Sequence, residues 1–269
     1  MKYLLLLAAV VLVSACVQNV STTATGLDVE LVSDSSTLFA EKSGTLYIYV
    51  TNNEPQEIKN IQVSVFDPGI LMLGDDCAQT FKQPSLYPNQ MKIFTCSLTA
   101  QKINGPYASS DVHVSVTYDT IFPIVQRISM INEEEYKRES ATGKYKPDQK
   151  SYSYTDKTVQ ADIEFSKELP ITVRAGATPT YMTLILSNVG NGFLKIGKIF
   201  VYPDSDKAGL FSSCSFPESI QPTGKTFPRM VCTLTIPPMQ DKPLVAYSPS
   251  LVIPYTYEIR KQTTFGIMG

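Results

Sequence analysis

The residues best suited to chemistry in this chain are five cysteines, and they fall into groups of one, two and two. Cys16 closes a hydrophobic leader at Val13-Ser14-Ala15-Cys16, where small residues directly before a cysteine suit cleavage and attachment of lipid to the thiol. Cys77 and Cys96 lie 19 positions apart, and Cys214 and Cys232 lie 18 apart. Paired thiols of this kind suit disulfides on the oxidising side of a membrane. An odd cysteine in an exported chain calls for an explanation, and a lipid on Cys16 supplies one.

The leader itself has Lys2 as its positive end and an apolar run from Tyr3 to Val13, after which Gln18, Asn19 and Ser21 turn the chain polar. A membrane-spanning helix needs about 20 apolar residues, so residues 1–15 read as a signal peptide and residues 16–25 as a tether. Ordinary cleavage after Ala15 and an uncleaved anchor are the alternatives to lipidation. One acyl chain holds a protein only marginally, so stable anchoring implies two or more chains on Cys16. Asn19-Val20-Ser21 is a glycosylation sequon, awkwardly close to that lipid.

Other chemistry finds little to work with. Zinc, the rival use of four thiols, wants ligands converging at spacings of about two to four residues, which these gaps do not offer. His113 is the single histidine. It lies on the polar phase of an alternating run, with no Gly-x-Ser-x-Gly nucleophile motif in the chain. Asp75-Asp76 and Asp204-Ser205-Asp206 precede Cys77 and Cys214 at matching places. Calcium uses such oxygen ligands, but neither cluster completes a binding loop, and both read as solvated turn acids. The expectation is therefore no catalytic residue, no metal and no cofactor. With 23 basic against 25 acidic residues, the chain has no field that would draw nucleic acid.

The elements that must position these groups read as strands. Val112, Val114 and Val116 alternate with His113, Ser115 and Thr117, and Leu46, Ile48 and Val50 alternate with Tyr47, Tyr49 and Thr51. Period two with turn residues between runs indicates half-buried strands. The chain also repeats. Thr45 to Asn52 matches Tyr181 to Asn188, each ending in a hydroxyl residue and Asn. Phe94-Thr-Cys96-Ser-Leu98 matches Met230-Val-Cys232-Thr-Leu234. Leu27 aligns with Ala161 and Tyr118 with Tyr255, so the offset drifts only from 134 to 137. The repeat selects the disulfide pairing within each copy, Cys77–Cys96 and Cys214–Cys232. Each closes a loop worth about 3 kcal/mol in the chain-entropy model.

About seven short strands per copy imply two tandem immunoglobulin-like antiparallel β-sandwiches, an all-β fold, over residues 26–131 and 158–269. Residues 132–157 are charge-mixed and read as a polar linker. Asn132 before Glu133, Glu134 and Glu135, with Lys137 and Arg138 behind, has the charge order of a short capped helix. Contacts across such a linker are expected to be few. Its tyrosines, Tyr145, Tyr152 and Tyr154, are the only candidates for an aromatic pocket between the copies.

A lipid-attachment leader followed by sandwiches that each carry a strand-Asn-turn and a Cys-loop-Pro-loop-Cys-Ser/Thr-Leu element resembles archaeal cell-envelope lipoproteins with CARDB-type or S-layer-associated immunoglobulin-like modules. The resemblance covers nearly all of the chain after Cys16 and rests on architecture. It implies a membrane-tethered extracellular protein with a structural, adhesive or interaction role, whose partners are the membrane, other envelope proteins or surface polymers. It carries over no catalytic residue. A solute-binding or catalytic envelope lipoprotein with a pocket between the copies is the alternative.

Overall fold

The alternation read from the sequence becomes nineteen strands and one short helix among the described residues. A computed structural model describes residues 26–174, 179–202, 211–214, 216, 222, 224–235, 239 and 242–269. Cys16, the leader, the Asn19 sequon and the acids Asp204 and Asp206 lie outside the described residues.

The first half supplies β1 (Leu27–Ser33), β2 (Thr37–Phe39), β3 (Ser43–Asn52), β4 (Ile58–Phe66), β5 (Leu71–Leu73), β6 (Phe81–Leu86), β7 (Met91–Ala100) and β8 (Tyr107–Val125). Next come β9 (Ile128–Asn132), α1 (Glu133–Ala141) and β10 (Ser151–Thr155). The second half supplies β11 (Val159–Phe165), β12 (Ile171–Val173), β13 (Thr180–Asn188), β14 (Phe193–Ile196), β15 (Phe200–Tyr202), β16 (Phe211–Cys214), β17 (Met230–Leu234), β18 (Leu244–Tyr247) and β19 (Ser250–Met268).

An antiparallel sheet β1-β3-β7-β5 in the first half matches β11-β13-β17-β16 in the second, where β10 adds an outer strand beside β11. The fold is all-β with the layered antiparallel sheets of a sandwich. Both disulfides form within their halves. Cys214 and Cys232 face each other across the β16–β17 pair, and Cys77 ties the loop before β6 to Cys96 on β7.

The two halves share one sheet, ordered β14-β19-β8-β4-β6. β8 and β19 run antiparallel over their whole length, from Tyr107 opposite Met268 to Val125 opposite Ser250. The repeat offset of 137 places Asp119 opposite Thr256, its own equivalent. A local two-fold axis therefore passes through that pair.

Each half also lends the other a strand. The end of β19 runs parallel beside β2, with Gly266 opposite Thr37, and antiparallel beside the start of β8. In the second half, β9 runs parallel beside β12, with Met130 opposite Ile171, and antiparallel beside β18, with Leu244 opposite Ile131. The pair Leu244–Ile131 is the repeat image of Tyr107–Met268. What is one long strand in β19 is broken at Gln126-Arg127 between β8 and β9. Gln126 N–H donates to the Pro249 carbonyl at 3.1 Å and closes that corner.

These pairings overturn the expectation of few contacts between the halves. Buried side chains from both merge into one hydrophobic core. The tract 132–157 buries none of its residues fully, yet it forms regular structure. Asn132 caps α1, its Oδ1 accepting from Glu135 N–H at 2.7 Å, and β10 is hydrogen-bonded to β11. The charge order was legible because capping is local. The strand was not, because Ser-Tyr-Ser-Tyr-Thr alternates polar with amphipathic residues and carries no aliphatic side chain to mark a buried face.

Candidate groove and buried cluster at the seam

Residues paired across neighbouring strands point to the same face of a sheet. At the two-fold axis they form one row across four strands: Lys195 on β14, Thr256 on β19, Asp119 on β8 and Lys59 on β4. Lys59 and Lys195 are repeat equivalents. Over this row lies a groove of about 680 Å³, shouldered by Ile121 and Pro254 and by Gln56 and Asn60.

The groove floor is held by its own hydrogen bonds. Asp119 Oδ1 accepts from the Thr256 hydroxyl at 2.6 Å, and its Oδ2 accepts from Asn60 Nδ2 at 2.8 Å. Asn60 sits at φ 52 in a bulge of β4, a left-handed conformation that Asn tolerates better than most residues. Gln56 donates to the hydroxyl of Thr120 at 3.3 Å and to the carbonyl of Ile121. Lys59 lies 3.8 Å from Glu57 in an exposed pair, while Lys195 has no ion-pair partner among the described residues.

The turn that leads into this edge explains the repeated Asn. Asn52 is fully buried. Its Oδ1 accepts from Glu54 N–H, and its Nδ2 donates to the Gln56 and Leu86 carbonyls. Asn188 makes the same turn with Gly190 and Gly192. The copies diverge two residues on, at Glu54 and Gly190. A Cβ at Gly190 would lie 2.2 Å from the Tyr257 hydroxyl, so only glycine fits there. Glu54 is instead sent inward, 4% exposed, and its Oε1 finds no hydrogen-bond partner among the described residues.

Around Glu54, beneath the shared sheet, gather Asp156, Lys157, Tyr118 and Tyr255. Asp156 Oδ1 accepts from the N–H groups of Thr158 and Val159 and Oδ2 from the Tyr255 hydroxyl at 2.9 Å. Burial, reinforced by the Asp156 charge, pushes the Glu54 carboxyl up to about 7, against a smaller opposing pull from Lys157. Burial likewise raises the hydroxyls of Tyr118 and Tyr255 well above the ordinary phenol range, with Glu54 and Asp156 respectively the largest charge influences. The repeat matched Tyr118 with Tyr255, but nothing in the sequence joined them to Glu54 and Asp156, which lie far from both along the chain.

The other described candidate residues do not line the groove. Asp76 Oδ2 accepts from the N–H and hydroxyl of Ser97, bracing the turn beside Cys77. His113 stacks on Phe66 with 5.6 Å between ring centres, 4.0 Å from Asp67. The three tyrosines do converge. Tyr145, Tyr152 and Tyr154 line a second cavity of about 630 Å³ with Arg127 and Lys146. There Tyr154 donates to the buried Gln126 at 2.9 Å, so the aromatic ring set is anchored to the corner between β8 and β9. Comparison with known protein families and with curated proteins finds no match for this chain.

Proposed function

We propose that this chain is a non-enzymatic, lipid-anchored protein of the cell surface, of the kind its leader and paired sandwiches resemble, which binds other envelope components through a fixed surface. The observation that carries this reading is the row Lys195–Thr256–Asp119–Lys59. It stands on four hydrogen-bonded strands, so its charges keep their spacing before any ligand arrives, and preorganisation of that kind lowers the cost of binding. Two disulfides and the exchanged strands stiffen the body behind it, which suits exposure outside the cell. The membrane is reached through lipid on Cys16, and the partners are envelope proteins or surface polymers.

Anchoring is tested by cell fractionation. Cys16→Ser should move the protein from the membrane fraction to the soluble fraction, and the parent's intact mass should show acyl groups. A Cys16→Ser protein that stays with the membrane, together with a parent mass lacking acyl groups, would reject the anchor. The seam groove also favours a second reading, a solute-binding lipoprotein. A metabolite panel that raises the melting temperature of the parent would select it over partner capture from envelope extracts.

A further inference from the structure

We propose that the seam groove binds an acidic polysaccharide laid across the four strands of the shared sheet. The inference rests on reading the groove as a binding surface and adds the chemistry of its ligand.

The donors and acceptors along the row dictate that chemistry. Its ends are ammonium groups, which attract anions. Three inter-strand steps separate Lys59 from Lys195, roughly 14 Å between backbones, too far for one compact anion to bridge both lysines comfortably. Its centre is the opposite. Asp119 is a carboxylate, an acceptor only, and its two bonds from Thr256 and Asn60 leave a lone pair on each oxygen. The middle of the ligand must therefore donate hydrogen bonds and carry no negative charge, while its flanks carry negative charge. Sugar hydroxyls between uronate, phosphate or sulfate groups satisfy both demands.

The walls agree with that assignment. Ile121 and Pro254 face each other across the β8–β19 pair and offer the apolar contact that the carbon face of a sugar ring takes. Phe193 lies on the same face two residues before Lys195, with the Arg260 guanidinium 4.6 Å from its ring centre, and Phe200 lies beyond it with an exposed ring on which a further sugar can stack. The Lys59–Glu57 pair is exposed and 3.8 Å long, and surface pairs of that kind hold each other weakly. An incoming anion can therefore recruit Lys59.

Oligogalacturonate is the probe, titrated into the full chain by calorimetry, with monogalacturonate, inorganic phosphate and a neutral maltooligosaccharide in parallel. The oligouronate should bind, lose affinity about tenfold or more as salt rises from 0.05 to 0.5 M, and outbind the monomer and phosphate. Lys59→Gln and Lys195→Gln should each weaken it. The double variant should lose at least tenfold while its melting temperature stays that of the parent. Equal binding of the neutral oligosaccharide, tighter binding of phosphate, or an unchanged affinity in the double variant would overturn the proposal. No oligouronate binding by a protein that still captures a partner from envelope extracts through Lys59 and Lys195 would reject the polysaccharide alone and leave the binding surface standing.

Discussion

Cut between Asn132 and Glu133, the chain should yield two fragments that are each unfolded alone and fold when mixed. Fragment 26–132 keeps β9 and the end of β8, whose partners β12, β18 and the start of β19 lie in the other piece. It also loses the end of β19, which runs between β8 and β2. The exchanged segments carry Phe122, Ile124, Ile128 and Met130 into the second half and Phe265 and Ile267 into the first, all at most 7% exposed. Burying such side chains contributes about 1.5–3 kcal/mol each, so losing six amounts to roughly 9–18 kcal/mol. That is comparable to the whole stability of an ordinary domain, about 5–15 kcal/mol. Far-ultraviolet circular dichroism and urea melts under oxidising conditions, on each fragment and on the equimolar mixture, read the outcome. A cooperative melt from either fragment alone would show that the exchanged strands are dispensable.

That dependence was hidden in the sequence for a physical reason. Alternation in Val112, Val114 and Val116 tells which side of a strand is buried, and this reading held from Tyr107 to Val125. Alternation does not tell which strand lies alongside, because pairing is set by contacts that are distant in sequence. The repeat was legible because two copies solve the same local problems: the Asn52 and Asn188 turns, and the cysteine pair that ties β7 to the segment after β5 in one half and β17 to β16 in the other. The seam groove was not legible, since Lys59 and Lys195 look like ordinary surface lysines until β8 and β19 bring them into one row. Gly190 opposite Glu54 in the repeat was the one available hint that the seam is asymmetric. Its meaning depends on where Tyr257 packs.

Glu54→Gln should stabilise the protein at pH 8 and change little at pH 5. The carboxyl titrates near 7 in the folded chain and at its ordinary 4.5 when exposed, chiefly because burial disfavours its charge. Between those values the folded protein holds a proton that the unfolded chain has released, so stability falls as pH rises. Below 4.5 the carboxyl is neutral in both states and its contribution is fully present. By pH 8 it is ionised in both, and the folded state carries a buried charge facing Asp156, which Lys157 offsets in part. The difference is about 3 kcal/mol, equivalent to a melting temperature shift of roughly 6–12 °C in a chain of this size. Glutamine keeps the shape without the charge. Thermal melts of parent and variant from pH 4.5 to 8.5 should coincide at the acid end and diverge through pH 7, the variant staying flat while the parent declines. Two curves offset by a constant amount across that range would mean that Glu54 does not ionise within it, and that the seam is held by packing rather than by a proton.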